Sequence, residues 1–318
     1  MNMLKAGVVG VGAMGQHHAR VFYELGDKKG VELVGVADKD IERAKEIGEE
    51  YGAEAYEDYK ELAQQGLDVV SVVVPTSLHK KVASEFMKNG THVLVEKPIA
   101  GNLEDAHELL EMGNSNGVKL LVGHIERFNP AVLKLKECIE DGELGEVISV
   151  SATRVGPLAV RIRDVGIIID LGVHDIDVIS FLLGQKVNKV KARAGNVKHP
   201  ADVEDHAIIM LDYDGGKTGI VETNWLTTHK TRKLKVIGTK GIAYMDYIDQ
   251  SLEIFKEEME KEYKVPDREP LKNEIGHFID CVKNGKKPLV CAEDGLHVLK
   301  VALKALESAD NGHALQVV

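Results

Sequence analysis

A glycine-rich segment near the start of the sequence has residue types and a spacing that suit phosphate binding. Gly10-Val11-Gly12-Ala13-Met14-Gly15 follows a short apolar run and opens a helix-like segment. Its glycines would let the backbone approach a pyrophosphate, and the helix N-terminus would supply N–H donors and a positive dipole. In this strand–turn–helix context the pattern predicts a dinucleotide site; a glycine-rich turn without a ligand is the alternative.

An acidic residue, Asp38, ends the second apolar run, about 20 residues beyond the glycines. Its carboxylate would accept hydrogen bonds from the adenosine ribose hydroxyls and would repel a 2′-phosphate. The pattern therefore favours NAD over NADP, and Lys39 weakens that preference without reversing it. A surface aspartate is the alternative.

A lysine follows a later apolar run, in Glu96-Lys97-Pro98 after residues 92–95. Because the carboxyl ends of parallel strands face the ligand, Lys97 could hydrogen-bond a substrate hydroxyl and the nicotinamide together. Pro98 restricts the backbone of Lys97 and thereby its direction. A solvated Glu–Lys pair in a turn is the alternative for Glu96 and Lys97.

Other residues predicted to line the cofactor come from the loop after an earlier apolar run: Pro75, Thr76 and His79. A histidine that merely starts a helix is the alternative for His79.

An acid and a histidine four residues apart, Asp170 and His174, would share one face of a helix. A carboxylate beside an imidazole fixes its tautomer and raises its basicity, as a general base for alcohol oxidation requires. A helix-capping aspartate and a buried structural histidine are the alternative.

Arginines cluster around this segment: Arg127, Arg154, Arg161 and Arg163. Guanidinium groups suit bidentate capture of phosphate or carboxylate, so the cluster predicts substrate binding. Surface salt bridging is the alternative for each of them.

The elements that must position these residues fall into two halves. Residues 1–123 alternate strand-like and helix-like segments, which predicts a Rossmann-type parallel sheet that binds NAD. Residues 124–318 predict an α/β substrate-binding and oligomerisation domain with an open, mainly antiparallel sheet, since turn signals at 214–215 and 238–241 separate long strand-like runs. The predicted fold class is therefore α/β throughout.

Composition excludes several classes of protein. The 318 residues carry 51 acidic and 40 basic side chains, a net charge of −11, which argues against a nucleic acid or membrane partner. Three cysteines form neither a disulfide framework nor a metal motif, so no metal is expected. With no signal-peptide pattern at residues 1–5 and no long apolar run, a cytoplasmic location is expected.

Together the motifs resemble the glucose-fructose oxidoreductase, inositol dehydrogenase and rhizopine catabolism (Gfo/Idh/MocA) family over nearly the whole chain. The resemblance implies that Lys97, Asp170 and His174 are catalytic, and that the open sheet builds a homodimer or homotetramer. One departure is that residues 164–169 lack the Gly-Gly pair that many members carry there. The motifs occur in the family's order: the Gly10–Gly15 turn, Asp38, Pro75-Thr76-x-x-His79, Glu96-Lys97-Pro98, Asp170-x-x-x-His174 and Gly238-Thr239-Lys240-Gly241.

Within the family, Gly123-His124-x-x-Arg127-Phe128-Asn129-Pro130 is similar to the branch that acts on nucleotide-linked N-acetylhexosamines. The resemblance implies an NAD-dependent sugar dehydrogenase that oxidises the 3-hydroxyl of UDP-N-acetylglucosamine or a related nucleotide sugar to a 3-keto sugar. The alternatives are an inositol or free-sugar dehydrogenase of the same family, and a non-catalytic, cofactor-dependent sensor.

Overall fold

The computed structural model describes residues 3–158, 165–257 and 259–318. The strands are β1 (Leu4–Val9), β2 (Val31–Ala37), β3 (Glu54–Tyr56), β4 (Val69–Val72), β5 (His92–Glu96), β6 (Leu120–Gly123), β7 (Val147–Pro157), β8 (Lys189–Gly195), β9 (His206–Asp212), β10 (Thr218–Asn224), β11 (Leu226–Gly238), β12 (Gly241–Asp246), β13 (Ser251–Lys256), β14 (Met259–Tyr263) and β15 (Leu315–Gln316). The helices are α1 (Gly15–Lys29), α2 (Ile41–Tyr51), α3 (Tyr59–Ala63), α4 (His79–Lys88), α5 (Leu103–Ser115), α6 (Pro130–Glu140), α7 (Val173–Leu183), α8 (Pro270–Asn284) and α9 (Ala292–Asn311).

The first sheet is parallel, in the order β3-β2-β1-β4-β5-β6. Every residue of β4 is buried, as expected of a central parallel strand that has no solvent face. The strand order reverses at β1, so the loops after β1 and β4 diverge and leave room for a ligand at the carboxyl ends. This arrangement confirms the predicted Rossmann sheet.

The second sheet is mixed and mostly antiparallel, in the order β14-β13-β12-β11-β7-β10-β9-β8-β15. Only β7 and β10 are parallel among its described pairs. Along β9, Ile209 and Leu211 are buried and Ile208 and Met210 are exposed, the alternation of a sheet with one covered face. The helices α6 and α7 contact this sheet. The predicted open α/β domain is confirmed.

Contacts divide the described chain into two units. One comprises Met1–Ile125 and Glu269–Leu296, and the other comprises Glu126–Arg268 and His297–Val318. The predicted boundary at 123/124 lies close to the point where the chain first passes from one unit to the other, between residues 125 and 126. The prediction that all later residues belong to a second domain was wrong for 269–296. The helix α8 packs on α1 instead. Periodicity shows that α8 has a buried face; it does not show which sheet or helix covers that face.

Candidate active site

The glycine-rich turn after β1 is too tight for side chains at two of its positions. Gly10 has φ +82°, and a Cβ on Gly15 would lie 1.7 Å from the Gly10 carbonyl oxygen. A Cβ on Gly12, by contrast, would meet no atom within 4 Å. Gly10 and Gly15 are therefore required by the fold. The open space at Gly12 is a cradle in which a ligand group could lie against the protein backbone.

The N-terminus of α1 is electrostatically uncompensated by its own residues. Met14 precedes the helix without a side-chain cap, and its first turn contains no acid. The helix α2, in contrast, is capped by Asp40, whose side chain accepts a hydrogen bond from Arg43 N–H. The N–H groups and positive dipole of α1 thus fit the pyrophosphate of a dinucleotide, with Ala13 and Met14 in the turn that would hold it.

A cavity of about 840 Å³ adjoins this turn. The Asp38 carboxylate at its wall accepts hydrogen bonds from Val11 N–H (2.8 Å) and Asp40 N–H (3.0 Å), so the turn and the acid are held together. Acidic residues outnumber basic ones around the cavity, which disfavours a 2′-phosphate there. The predicted cofactor residues that line it are Gly10, Gly12, Asp38, Lys39 and Pro75.

A Gly12→Ala variant is expected to fold normally and to lose at least about tenfold in NAD affinity, because the methyl group would occupy the approach to the pyrophosphate. The melting temperature and the NAD dissociation constant, measured by calorimetry, test this. Gly113→Ala, within α5, is the matched control, since its Cβ would make only ordinary van der Waals contacts of 3.6 Å or more. Undiminished NAD binding by Gly12→Ala would contradict the assigned cradle.

The Glu96-Lys97-Pro98 turn follows β5, and the Lys97 side chain is half-buried. The Glu96 carboxylate contacts His18 and accepts a hydrogen bond from Lys97 N–H (3.1 Å). Glu96, predicted to line the cofactor, therefore uses both carboxylate oxygens inside the protein. The role of Lys97 itself stays a prediction.

His79, predicted to line the nicotinamide, has both of its ring nitrogens engaged by the protein itself. It is 1% exposed, and its Nδ1 and Nε2 lie 2.9 Å from the carbonyl oxygens of Pro98 and Val74. Both ring nitrogens thus face the backbone, and burial lowers the pKa of His79. The ring ties the loop carrying Pro75 and Thr76 to the Lys97 turn, a role set by contacts distant in sequence.

In the second unit, Asp170 and His174 lie on different kinds of helical turn. Asp170 belongs to a π-helical turn, Ile168–Gly172, and His174 to the first turn of α7. The helix predicted to carry both residues on one face therefore changes from π to α winding between them, and π-turns of this kind are frequent at functional sites. Both side chains are partly exposed. Their pairing stays a prediction.

Arg154, predicted to bind substrate, is instead a buried structural cation. Its guanidinium donates to Asp175 Oδ2 (2.7 Å), Asp175 Oδ1 (3.2 Å) and Glu126 Oε1 (2.8 Å). Tyr247 also donates to Asp175 (3.1 Å), and its ring centroid is 4.8 Å from the guanidinium carbon. Burial would lower the pKa of Arg154, but Asp175 and Glu126 raise it well above its usual value.

Arg127, predicted to bind substrate, is likewise engaged in an ion pair inside the protein. It donates to both carboxylate oxygens of Asp177, at 2.8 and 2.7 Å, and lies over the Phe181 ring. Asn129 of the same motif caps α6 and donates to the Tyr247 carbonyl. At Arg127 and Asn129 the motif therefore stabilises the fold. The remaining predicted arginines, Arg161 and Arg163, lie outside the described residues.

Sequence reasoning missed two cations on β11. Arg232 lies opposite Arg154 in the β7–β11 pair, 3.7 Å from Glu126 and within electrostatic range of Asp170. Burial and the charge of Arg154 lower its pKa, and the charge of Arg232 in turn lowers the pKa of Lys230. The basic run at 229–235 was the available signal.

Within the described residues, no group of three or more His, Cys, Asp or Glu side chains could hold a metal ion. Among the helices of that same part of the chain, none has the length and apolar character to cross a membrane.

Comparison with known proteins gives matches over both halves of the chain. Residues 4–124 match the family model of an oxidoreductase family with an NAD-binding Rossmann fold, and residues 132–244 match the GFO/IDH/MocA C-terminal domain. A scyllo-inositol 2-dehydrogenase (NAD(+)) of Bacillus subtilis is 30% identical, over 99% of this chain and 97% of the relative.

A second relative has a different substrate in its name. The UDP-N-acetylglucosamine 3-dehydrogenase of Acidithiobacillus ferrooxidans is 28% identical over 96% of each chain. The solved structure of an enzyme of that name from the same organism superposes with a TM-score of 0.89, at 27% identity, over 98% of this chain and 99% of the other.

Proposed function

The chain belongs to the Gfo/Idh/MocA oxidoreductase family, and we propose that it oxidises a ring hydroxyl of a nucleotide sugar, specifically the 3-hydroxyl of UDP-N-acetylglucosamine. The coarser activity is that of an NAD-dependent dehydrogenase of sugars or polyols. The observation that carries the dehydrogenase assignment is the uncapped N-terminus of α1 above the open cradle at Gly12, because that combination suits a dinucleotide.

The proposal assigns one role to each of three side chains. Lys97 hydrogen-bonds the reacting hydroxyl, and His174, oriented by Asp170, accepts its proton. NAD held at the Gly10–Gly15 turn would supply the hydride acceptor. His174 takes the hydroxyl proton, so that loss of the proton and of the hydride together converts the alcohol to a ketone.

A panel of UDP-sugars, inositols and free sugars, each with NAD and followed by NADH absorbance, tests the substrate. Turnover of UDP-N-acetylglucosamine, with inhibition by UDP alone, is expected. Turnover of a polyol without inhibition by UDP would contradict the nucleotide-sugar assignment. Tight NAD binding without oxidation of any compound would support a sensor.

An inositol dehydrogenase is the second candidate. The internal ion pairs of Arg127 and Arg154 remove two cations that a diphosphate could have used, and the scyllo-inositol relative is similar over nearly the whole chain. An uncharged polyol needs no such cations. The same panel separates the two substrates.

Arg232→Gln tests whether the cations of β11 contact an anionic substrate. We expect KM for the UDP-sugar to rise by about tenfold or more, as for loss of a hydrogen bond to a charged group, with KM for NAD unchanged. Lys233→Gln is the matched control, because neighbouring residues of a strand point to opposite faces. Equal KM values in both variants would contradict a role for Arg232.

We also propose that the open face of the second sheet pairs with another copy of this chain. Apolar side chains project from neighbouring strands on this face, including Ile208, Met210 and Ile220, and such contiguous exposure marks interaction surfaces. Light scattering is expected to give a dimer or tetramer; a monomer would contradict the proposal.

A further inference from the structure

The turn that carries Lys97 is held by the carboxylate of Glu96, whose side chain is 14% exposed. Glu96, the last residue of β5, places Oε2 on the backbone N–H of Lys97 (3.1 Å) and Oε1 on the His18 ring (3.2 Å). A Cβ on Gly123, in the neighbouring strand β6, would lie 3.1 Å from the Glu96 carboxyl carbon. Glycine at position 123 therefore leaves the space that the Glu96 carboxylate occupies, and a side chain there would crowd it.

The ring that fixes Glu96 comes from the cofactor helix. His18 lies on α1, one turn after Gly15, and is fully buried. Its Nε2 contacts Glu96, whereas its Nδ1 has no hydrogen-bond partner among the described residues. Since a protonated ring would bury an unpaired N–H, the neutral ring that donates from Nε2 is the form that fits this environment.

The charge of Glu96 is maintained despite its burial. Burial would raise its pKa, but the hydrogen bond from His18 and the positive charge of Lys97 hold the pKa of Glu96 below its usual value. A carboxylate that stays ionised is a strong acceptor for the Lys97 N–H. Since His79 holds the Pro98 carbonyl at the other end, the turn is fixed on both sides of Lys97.

We propose that His18 is a positioning residue, which acts through the Glu96 carboxylate to fix the direction of Lys97. This inference rests on the proposed function for its catalytic consequence, although the anchoring itself does not. It links the helix that holds the cofactor to the side chain that holds the substrate. A displacement of about 1 Å at a reacting group can lower the rate about 100-fold, so such an anchor is worth testing.

Hydrogen exchange measures the anchoring without any substrate. His18→Leu removes the donor, whereas His18→Gln keeps an N–H at similar reach. We expect the Lys97 amide to exchange at least about tenfold faster in His18→Leu, and within about twofold of wild type in His18→Gln, because a donor restores the carboxylate's position. Equal exchange in wild type and both variants would overturn the proposal.

Glu96→Gln provides a second variant if His18→Leu does not fold. The amide keeps the shape of Glu96, but its single oxygen can accept at only one of the two ends. Faster exchange at the Lys97 amide is again expected, because one of the two contacts of the Glu96 carboxylate is lost. Unchanged exchange in Glu96→Gln would overturn the proposal.

Kinetics then connect the anchor to catalysis. His18→Leu should lower kcat about 10- to 100-fold without a matching change in KM for NAD, and His18→Gln should recover most of the lost kcat. In a Lys97→Met background, His18→Leu should cause no further loss of kcat. If the kcat losses of His18→Leu and Lys97→Met instead multiply in the double variant, the proposal is overturned. Should the wild-type protein oxidise nothing, the proposed function fails, and hydrogen exchange alone still decides whether His18 anchors the turn.

Discussion

Replacing Lys97 with methionine is expected to lower kcat by about 100- to 1,000-fold, the usual cost of losing one charged or polar donor at a reacting oxygen. Methionine keeps the length and apolar stem of the side chain and removes its N–H donors. Because the turn is held through backbone atoms and the Glu96 carboxylate, the fold around it should persist.

The measurement is steady-state oxidation of the best compound in the substrate panel, with NAD binding determined separately by calorimetry. The NAD dissociation constant should rise far less than kcat falls, since the pyrophosphate cradle is untouched. Lys88→Met, at an exposed lysine near the end of α4, is the matched control and should retain wild-type turnover. Full turnover by Lys97→Met would remove Lys97 from the mechanism.

Replacing Arg154 with methionine is expected to destabilise the second unit by about 3 to 5 kcal/mol, the range seen when one partner of a buried ion pair is removed. The variant would leave Asp175 buried without its cation, and Glu126 with only the longer contact to Arg232 at 3.7 Å. Tyr247 still donates to Asp175, but a single hydroxyl cannot neutralise two carboxylates.

Urea unfolding monitored by tryptophan fluorescence measures the loss of stability in the second unit. The chain has a single tryptophan, Trp225, which is buried in the second unit. A lower midpoint with an unchanged slope would show lost stability rather than a changed unfolded state. Arg193→Met, at an exposed arginine of β8, is the control and should change stability by less than about 0.5 kcal/mol.

A double variant separates charge burial from lost packing. Arg154→Met combined with Asp175→Asn removes one stranded charge and should recover part of the lost stability. No recovery would show that packing around Tyr247, rather than the ion pair, accounts for the loss. Because Asp175 adjoins His174, the single variant should also lower turnover at temperatures where it remains folded.

The first half of the chain was predictable because its signals are local. Apolar runs, their spacing and the glycine turn at Gly10–Gly15 predicted the strands and the order of β–α units, and handedness rules then fix the sheet. Asp38 was placed correctly for the same reason, since it ends the strand that neighbours β1. Short elements such as β3 and α3 were missed because they span too few residues to show a period.

The arginines illustrate what local reasoning could not decide. A guanidinium serves equally well as a phosphate ligand or as a partner for an internal carboxylate. Only the fold places Asp177 against Arg127 and Asp175 against Arg154, which are 50 and 21 positions apart in the chain. His79 is similar, because its two carbonyl partners come from different loops.

By itself, then, the sequence determined the two-sheet architecture, the dinucleotide site and the set of side chains that could do chemistry. Tertiary structure alone decided which charged side chains form ion pairs inside the protein and which cations lie on β11. It also decided that residues 269–296 belong to the first unit. The physical reason is that periodicity and motif spacing report on neighbours within about one or two turns of chain. Burial and ion pairing, in contrast, depend on which distant segments come into contact.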